Sequence, residues 1–132
     1  MKTSLLSIVC CLVLCTCGCL SRKSAGVAAE RGVLQVEDRT FATRLEVVQD
    51  QTVMRDGGFL KAQVMLKNTG MRDATFQYRF LWKDRDGLTL KRAETLWTPL
   101  VLHGREEAVV EGICPVPGAA DFRLVIRPVK GH

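Results

Sequence analysis

The sequence predicts an all-β protein: an immunoglobulin-like antiparallel β-sandwich of about seven strands, preceded by a signal peptide and a flexible tether. Hydrophobic residues from Val33 onward recur with a period of about two, which is typical of strands and not of helices. Turn-forming residues separate these segments at short intervals, as in sandwiches. The segment before Arg22 is apolar and carries only one charged residue, Lys2, which is typical of a secretory signal.

Length and composition limit the possible classes of protein. The chain has 132 residues, enough for one domain, with 25% charged and 47% hydrophobic residues, as in ordinary globular proteins. The net charge is +5, but positive and negative residues alternate, as in residues 83–86 and 105–107. Because no basic cluster is interleaved with aromatic residues, we do not expect nucleic-acid binding.

The N-terminal segment has the three parts of a signal peptide, which we assign to residues 1–18. Lys2 forms a short positive region, and residues 5–13 form an apolar one. Small residues and cysteines follow. The apolar stretch is shorter than the roughly 20 residues that a transmembrane helix needs. A signal segment is therefore favoured over a membrane span.

The end of this segment resembles a bacterial lipobox, in which a small residue precedes a cysteine that is modified with lipid. Gly18 precedes Cys19, so Cys19 is the expected site of acylation, of the palmitate type. Thr16 stands where the motif usually has leucine, which leaves Cys17 as the alternative; a plain signal peptide or an uncleaved anchor is a further alternative. Because Leu20 follows in place of aspartate, sorting rules favour the outer membrane, with the domain facing the periplasm.

We assign residues 19–32 to the lipidated cysteine and a linker, and residues 33–132 to the β-sandwich domain. The linker is rich in small and polar residues, and such a chain spans about 20 Å on average. The expected strands cover residues 44–48, 60–66, 76–82, 88–90, 98–102, 108–114 and 122–127.

One strand carries the strongest core pattern of the chain. Four aromatic residues alternate with other side chains and share one face: Phe76, Tyr78, Phe80 and Trp82. Asp84 to Gly87 then form a hairpin turn, with Gly87 free to adopt positive φ. Cys114 is the single cysteine of the domain, so no disulfide can form within it and the hydrophobic core must hold the fold.

The segment from Tyr78 to Gly87 resembles the YcfL family of bacterial lipoproteins, with its Tyr-Arg-Phe-x-Trp-x-Asp-x-x-Gly pattern. A strand ending in Asn68 and a closing strand at Phe122-Arg123-Leu124 extend the resemblance over residues 34–128. The resemblance implies a lipoprotein with no established activity, and the position of some members beside an activator of a penicillin-binding protein implies work in the cell envelope.

Few residues of the domain could support catalysis. No serine follows Ser24, so a serine nucleophile is absent from the domain. With the terminal His132 set aside, Cys114 and His103 are the only conceivable thiol–imidazole pair of the domain, and the alternative is a buried thiol and a loop histidine. Asp84 and Asp86 fit a turn better than a calcium loop, because further oxygen ligands are missing. We therefore expect no catalytic residues, no metal site and no cofactor.

The functional expectation is a non-catalytic module of the envelope, held at the membrane by its lipid and binding a protein partner or the wall. Trp97 is the candidate interaction residue, because Trp82 fits the core face and leaves Trp97 as the one plausible exposed tryptophan; packing of Trp97 in the core or at the rim is the alternative. Edge strands near residues 44–48 and 88–90 could accept a partner's strand. A small enzyme or metal carrier using Cys114 and His103 is the alternative function. No small-molecule substrate is evident.

Overall fold

The computed structural model describes residues 29–31 and 33–130. The expected signal peptide, Cys17 and Cys19 lie outside the described residues, so their assignment stays a prediction. Within the described ranges, no helix has the length and apolar character needed to cross a membrane.

Eight strands form two packed sheets, which confirms the predicted all-β sandwich. The strands are β1 Ala29–Arg31, β2 Leu34–Val36, β3 Leu45–Arg55, β4 Phe59–Asn68, β5 Ala74–Lys83, β6 Thr98–Leu102, β7 Glu107–Ile113 and β8 Asp121–Pro128. One sheet has the order β1-β2-β8-β5-β6 and the other β3-β4-β7. A four-residue helix, α1 Arg39–Ala42, and two 3₁₀ turns, Asp56–Gly58 and Lys91–Ala93, connect them.

The alternation of β4 and β5 explains why these strands form the centre of the sandwich. Every second residue of β4 from Leu60 to Asn68 is buried, and the intervening side chains reach the surface. On β5 the rings of Phe80 and Trp82 stack with their centroids 5.4 Å apart in the core. Tyr78 on the same face is only half buried, opposite Thr98 at the start of β6. The aromatic face is thus confirmed as the core.

The N-terminal side of the domain differs from the expectation in two respects. β2 runs parallel to β8, with Leu34 opposite Leu124, whereas every other strand pairing is antiparallel. β1 lies inside the segment expected to be linker and pairs with β2, so the domain starts a few residues earlier. Three-residue strands are too short to show a period, and their backbone pairing leaves no mark in the sequence.

Two further strands differ in length from the expectation. β3 runs from Leu45 to Arg55 and not only over residues 44–48, because its second half lies at a sheet edge and has no buried face to show alternation. Residues 88–90 form no strand. Only a single bridge joins Lys83 to Thr89 after the turn. The turn itself is confirmed, with Gly87 at φ +78°.

Candidate functional site

The structure does not bring Cys114 and His103 together. Cys114 is fully buried just after β7, where its N–H donates to the carbonyl of Leu60. His103 is exposed before β7, where its N–H donates to Glu106 Oε2 at 2.7 Å. A seven-residue strand lies between the two sites, a separation of about 20 Å at 3.4 Å per residue. These two residues therefore cannot act as a thiol–imidazole pair in this fold.

His103 instead contacts a carboxylate at the surface. Its Nδ1 lies 3.1 Å from Asp73 Oδ1. The hydrogen bond with Asp73 and the charge of that residue raise the pKa of His103 above the usual 6.5. Because both side chains are exposed, this pair is a solvated surface contact with little effect on stability.

The paired aspartates of the turn have a structural role. Asp84 Oδ1 accepts hydrogen bonds from the N–H groups of Asp86 and Leu88, each at 2.9 Å. This contact holds the turn closed. Over residues 33–130, no group of three or more histidine, cysteine or acidic residues is arranged as metal ligands.

An open cleft of about 440 Å³ lies between α1 and the end of β8. Two of its charged side chains, Arg44 and Asp38, are bonded to the backbone, and a third, Asp73, contacts His103. Arg44 donates to the carbonyls of Arg72 and Asp73, at 2.9 and 2.8 Å. Asp38 caps α1 by accepting from the N–H of Phe41 at 2.9 Å. These contacts fix the loops at this end of the sandwich, and the acid–base group left at the cleft is Asp73, whose carboxylate contacts the exposed His103.

Trp97 lies on the outer face of the five-stranded sheet, immediately before β6. Arg79 of β5 and Arg127 of β8 point to the same face, because each alternates with a buried neighbour, Phe80 and Ile126. The guanidinium carbons of Arg79 and Arg127 lie 4.6 and 4.2 Å from the centroid of the Trp97 ring. One ring and two cations therefore lie together on this face. We call Arg79, Trp97 and Arg127 the Arg–Trp cluster.

The Arg–Trp cluster is positively charged and incompletely hydrogen-bonded. Arg127 Nε donates to Gln77 Oε1 at 2.8 Å. Arg79 Nε is buried without a hydrogen-bond partner. In the described part of the chain, neither guanidinium has a carboxylate within ion-pair distance. Each cation–π contact contributes about 0.5–2 kcal/mol.

The remaining donors of the two guanidinium groups could therefore bind an acidic group, since arginine pairs with carboxylates and phosphates in a fork of parallel hydrogen bonds. The sequence pointed to Trp97 but missed both arginines. The alternation of β5 does place Arg79 opposite the aromatic face. Nothing in the sequence shows that β5 has β6 and β8 as its neighbours, and this pairing is what assembles the cluster.

The fold and this surface define the class of the protein: a disulfide-free β-sandwich domain with a cationic, aromatic outer face. The family DUF1425, described as "Protein of unknown function", matches residues 32–128, and the chain belongs to this family. A comparison with curated proteins finds no match.

Two solved structures share the fold. One is the Campylobacter jejuni protein cj0090, with a TM-score of 0.63 and 23% identity over 75% of this chain and 100% of that chain. The other is a DUF1425 family member from Shewanella sp. pv-4, with a TM-score of 0.57 and 23% identity over 83% of this chain and 95% of the other. At this identity the comparisons establish the architecture and carry no residue roles.

Proposed function

We propose that this protein is a non-catalytic lipoprotein of the bacterial cell envelope, a YcfL-type member of its family, that binds an envelope protein through the Arg–Trp cluster. Cys19, with Cys17 as the alternative, carries the lipid that holds the domain at the outer membrane, facing the periplasm. The linker after the lipid keeps the domain near the bilayer while leaving it free to meet a partner. Two acyl chains make such anchoring stable, where one chain is marginal.

The observation that carries the proposal is the juxtaposition of Trp97 with two arginines that lack carboxylate partners. Tryptophan and arginine are the residues most enriched at the energetic centres of protein interfaces. The cluster lies on a sheet face, and extended sheet surfaces suit a macromolecular partner better than a small ligand, which prefers a cavity. The positive charge favours an acidic segment on that partner.

The absence of catalysis is supported by the distribution of reactive groups. Cys114 is in the core, and His103 is paired with Asp73 at the other end of β7. Arg44 and Asp38 of the cleft beside α1 hold backbone carbonyls and a helix end. His103 and Asp73 could share a proton, but both side chains are exposed, and Cys114, the thiol of the described residues, is buried away from them.

The proposal is tested with the full-length protein, crosslinked in intact cells and purified from envelopes. Trp97→Ala removes the ring, and Leu96→Ala is the matched control, since Leu96 is the neighbouring residue and 89% exposed. We expect a specific protein to be recovered with the wild type and with Leu96→Ala, and at least about tenfold less of it with Trp97→Ala. Equal recovery with the two variants would contradict the role of the cluster.

The anchoring is tested separately by mass spectrometry of the mature N-terminus. We expect a diacylated or triacylated cysteine at position 19, or at position 17 in the alternative. An unmodified terminus would contradict the lipid anchoring. The binding surface would still be tested by the crosslinking experiment.

A further inference from the structure

β3 is the edge strand of the three-stranded sheet, and its outer edge has no partner strand in the described part of the chain. It is 11 residues long, and every residue after Val47 is exposed. Asp50, Thr52 and Met54 face the interior, opposite buried residues of β4, yet they too are exposed. The five-stranded sheet therefore does not cover this half of β3.

Such an edge is unusual, because natural proteins shorten, cover or charge the edges of their sheets to prevent pairing with other chains. β3 also presents apolar side chains to solvent: Val48, Val53 and Met54 are 46%, 54% and 57% exposed. A bulge at Val48 and the inward-facing carboxylate of Asp50 are the two features that interrupt the edge. The strand has the properties of one that receives a partner.

We infer that β3 pairs antiparallel with β3 of a second copy of this chain, across a twofold axis at Gln51. The two three-stranded sheets then form one continuous six-stranded sheet. In this register Gln51 lies opposite its own copy, and Asp50 lies opposite Thr52. Gln49 lies opposite Val53. Beyond the bulge, Val47 lies opposite Met54 and Glu46 opposite Arg55.

In this register, outward-facing residues lie opposite outward-facing residues, and inward-facing residues lie opposite inward-facing ones. Glu46 and Arg55 both point outward, since they pair with the outward-facing Lys67 and Phe59 of β4. Val47 and Met54 both point inward. Because Val48 is an extra residue, the faces of β3 invert at the bulge, and only a register that skips Val48 keeps like faces together. The bulge thus fits the pairing and does not block it.

Charge complementarity favours a second copy over an unrelated strand. Glu46 and Arg55 stand near opposite ends of β3, and neither forms an ion pair within the described residues. The twofold axis places Glu46 of each copy opposite Arg55 of the other copy. Two opposite-charge pairs therefore form, and such cross-strand pairs are favourable. The same symmetry buries two contacts between Val47 and Met54.

Disulfide capture in the full-length chain tests the register. In Gln51→Cys the two thiols face each other across the axis, at the Cβ separation of about 5 Å that directly opposite residues have. In the matched control Gln49→Cys the two thiols are about 13 Å apart along the strand, too far for a disulfide. Cys114 is buried, and the cysteines before residue 20 are common to both variants.

We expect mild oxidation in cells to give a linked dimer with Gln51→Cys at least about five times as often as with Gln49→Cys. Equal yields, or no dimer above the wild-type background with Gln51→Cys, would overturn the inference.

Charge reversal provides a second, independent readout, by sedimentation of the full-length protein in mild detergent. Glu46→Arg or Arg55→Glu alone places like charges opposite each other twice. We expect the dissociation constant of the dimer to be about tenfold higher than in the wild type. The double variant exchanges the charges and should restore the wild-type dimer. A protein that stays monomeric at every concentration, or a double variant as weak as the single ones, would overturn the pairing. Trp97 lies on the other sheet, so these outcomes do not depend on the Arg–Trp cluster.

Discussion

Replacing Asn68 with leucine is expected to destabilise the domain by about 4 kcal/mol, although leucine has a similar size and suits a buried site. The side chain of Asn68 is fully buried at the end of β4. Its Nδ2 donates to the carbonyls of Arg72, Leu102 and His103 at 2.8, 3.0 and 3.0 Å, and its Oδ1 accepts from the N–H of Gly70 at 3.0 Å. One amide therefore joins the β4–β5 loop to the end of β6.

The magnitude follows from these four contacts. A hydrogen bond contributes about 1 kcal/mol net, and a buried group left without a partner costs about 1–3 kcal/mol. Nδ2 has only two hydrogens, so two carbonyls share one of them. The loss of about three full hydrogen bonds, with at least one buried group left without a partner, gives the estimate of about 4 kcal/mol. For a domain of this size, that change lowers Tm by about 16–30 °C.

The assay is urea unfolding of the purified protein, followed by the fluorescence of Trp82, which is fully buried. Thr69→Ala is the matched control in the same turn. Its hydroxyl makes one exposed hydrogen bond, to the carbonyl of Thr43 at 3.2 Å, so we expect a loss below about 1 kcal/mol. A loss with Asn68→Leu no larger than that of the control would refute the reasoning.

Three further outcomes are expected. Gly112→Ala should lower the free energy of unfolding by about 1–3 kcal/mol, measured by thermal unfolding, because the core becomes overpacked. The added Cβ would lie 2.6 Å from Cδ2 of the buried Phe80 ring. Unchanged stability would contradict this. NMR titration should show the pKa of His103 above 6.5 in the folded protein and nearer to it in Asp73→Asn. Since folding raises this pKa, the small stabilisation is present at low pH and is lost as the pH rises through the folded-state pKa; a pKa unmoved by the substitution would refute the contact. Cys114 should resist alkylation until the domain unfolds, as read from its peptide by mass spectrometry, and rapid labelling of the native protein would show that the core opens there.

The central strands were predictable because their residues meet two different environments. On β4 and β5 one face is in the core and the other in water, so the sequence alternates and the pattern identifies both the strand and its buried face. Trp82 was placed in the core on this ground, and the turn ending at Gly87 followed from its residue types. Both are confirmed by burial and by backbone conformation.

The edges were not predictable for the opposite reason. The second half of β3 has water on both faces, so no alternation marks it, and the expected strand stopped at Val48 while the observed one continues to Arg55. From the sequence, Asn68 was expected only as the end of a strand. Its side chain is buried because the end of β6 lies beside it and provides carbonyl groups to which it donates.

The candidate site was also predictable only in part. The sequence singled out Trp97, because it has no place in the alternating core, and it identified Cys114 and His103 as the only thiol and imidazole worth testing. It could not show that β7 separates the latter two, nor that Arg79 and Arg127 lie beside the tryptophan. These relations depend on strand order, which joins residues distant in sequence, such as Arg127 and Gln77, 50 positions apart.

By itself, then, the amino-acid sequence determined the central strands, their apolar faces and the turn ending at Gly87, because these depend on local conformational preference and on contact with water. The tertiary structure alone decided which strands are neighbours, which edge stays open and which charges meet around Trp97. Those are properties of pairs of distant segments, because a residue's preference for a strand depends on the neighbours against which its side chain packs.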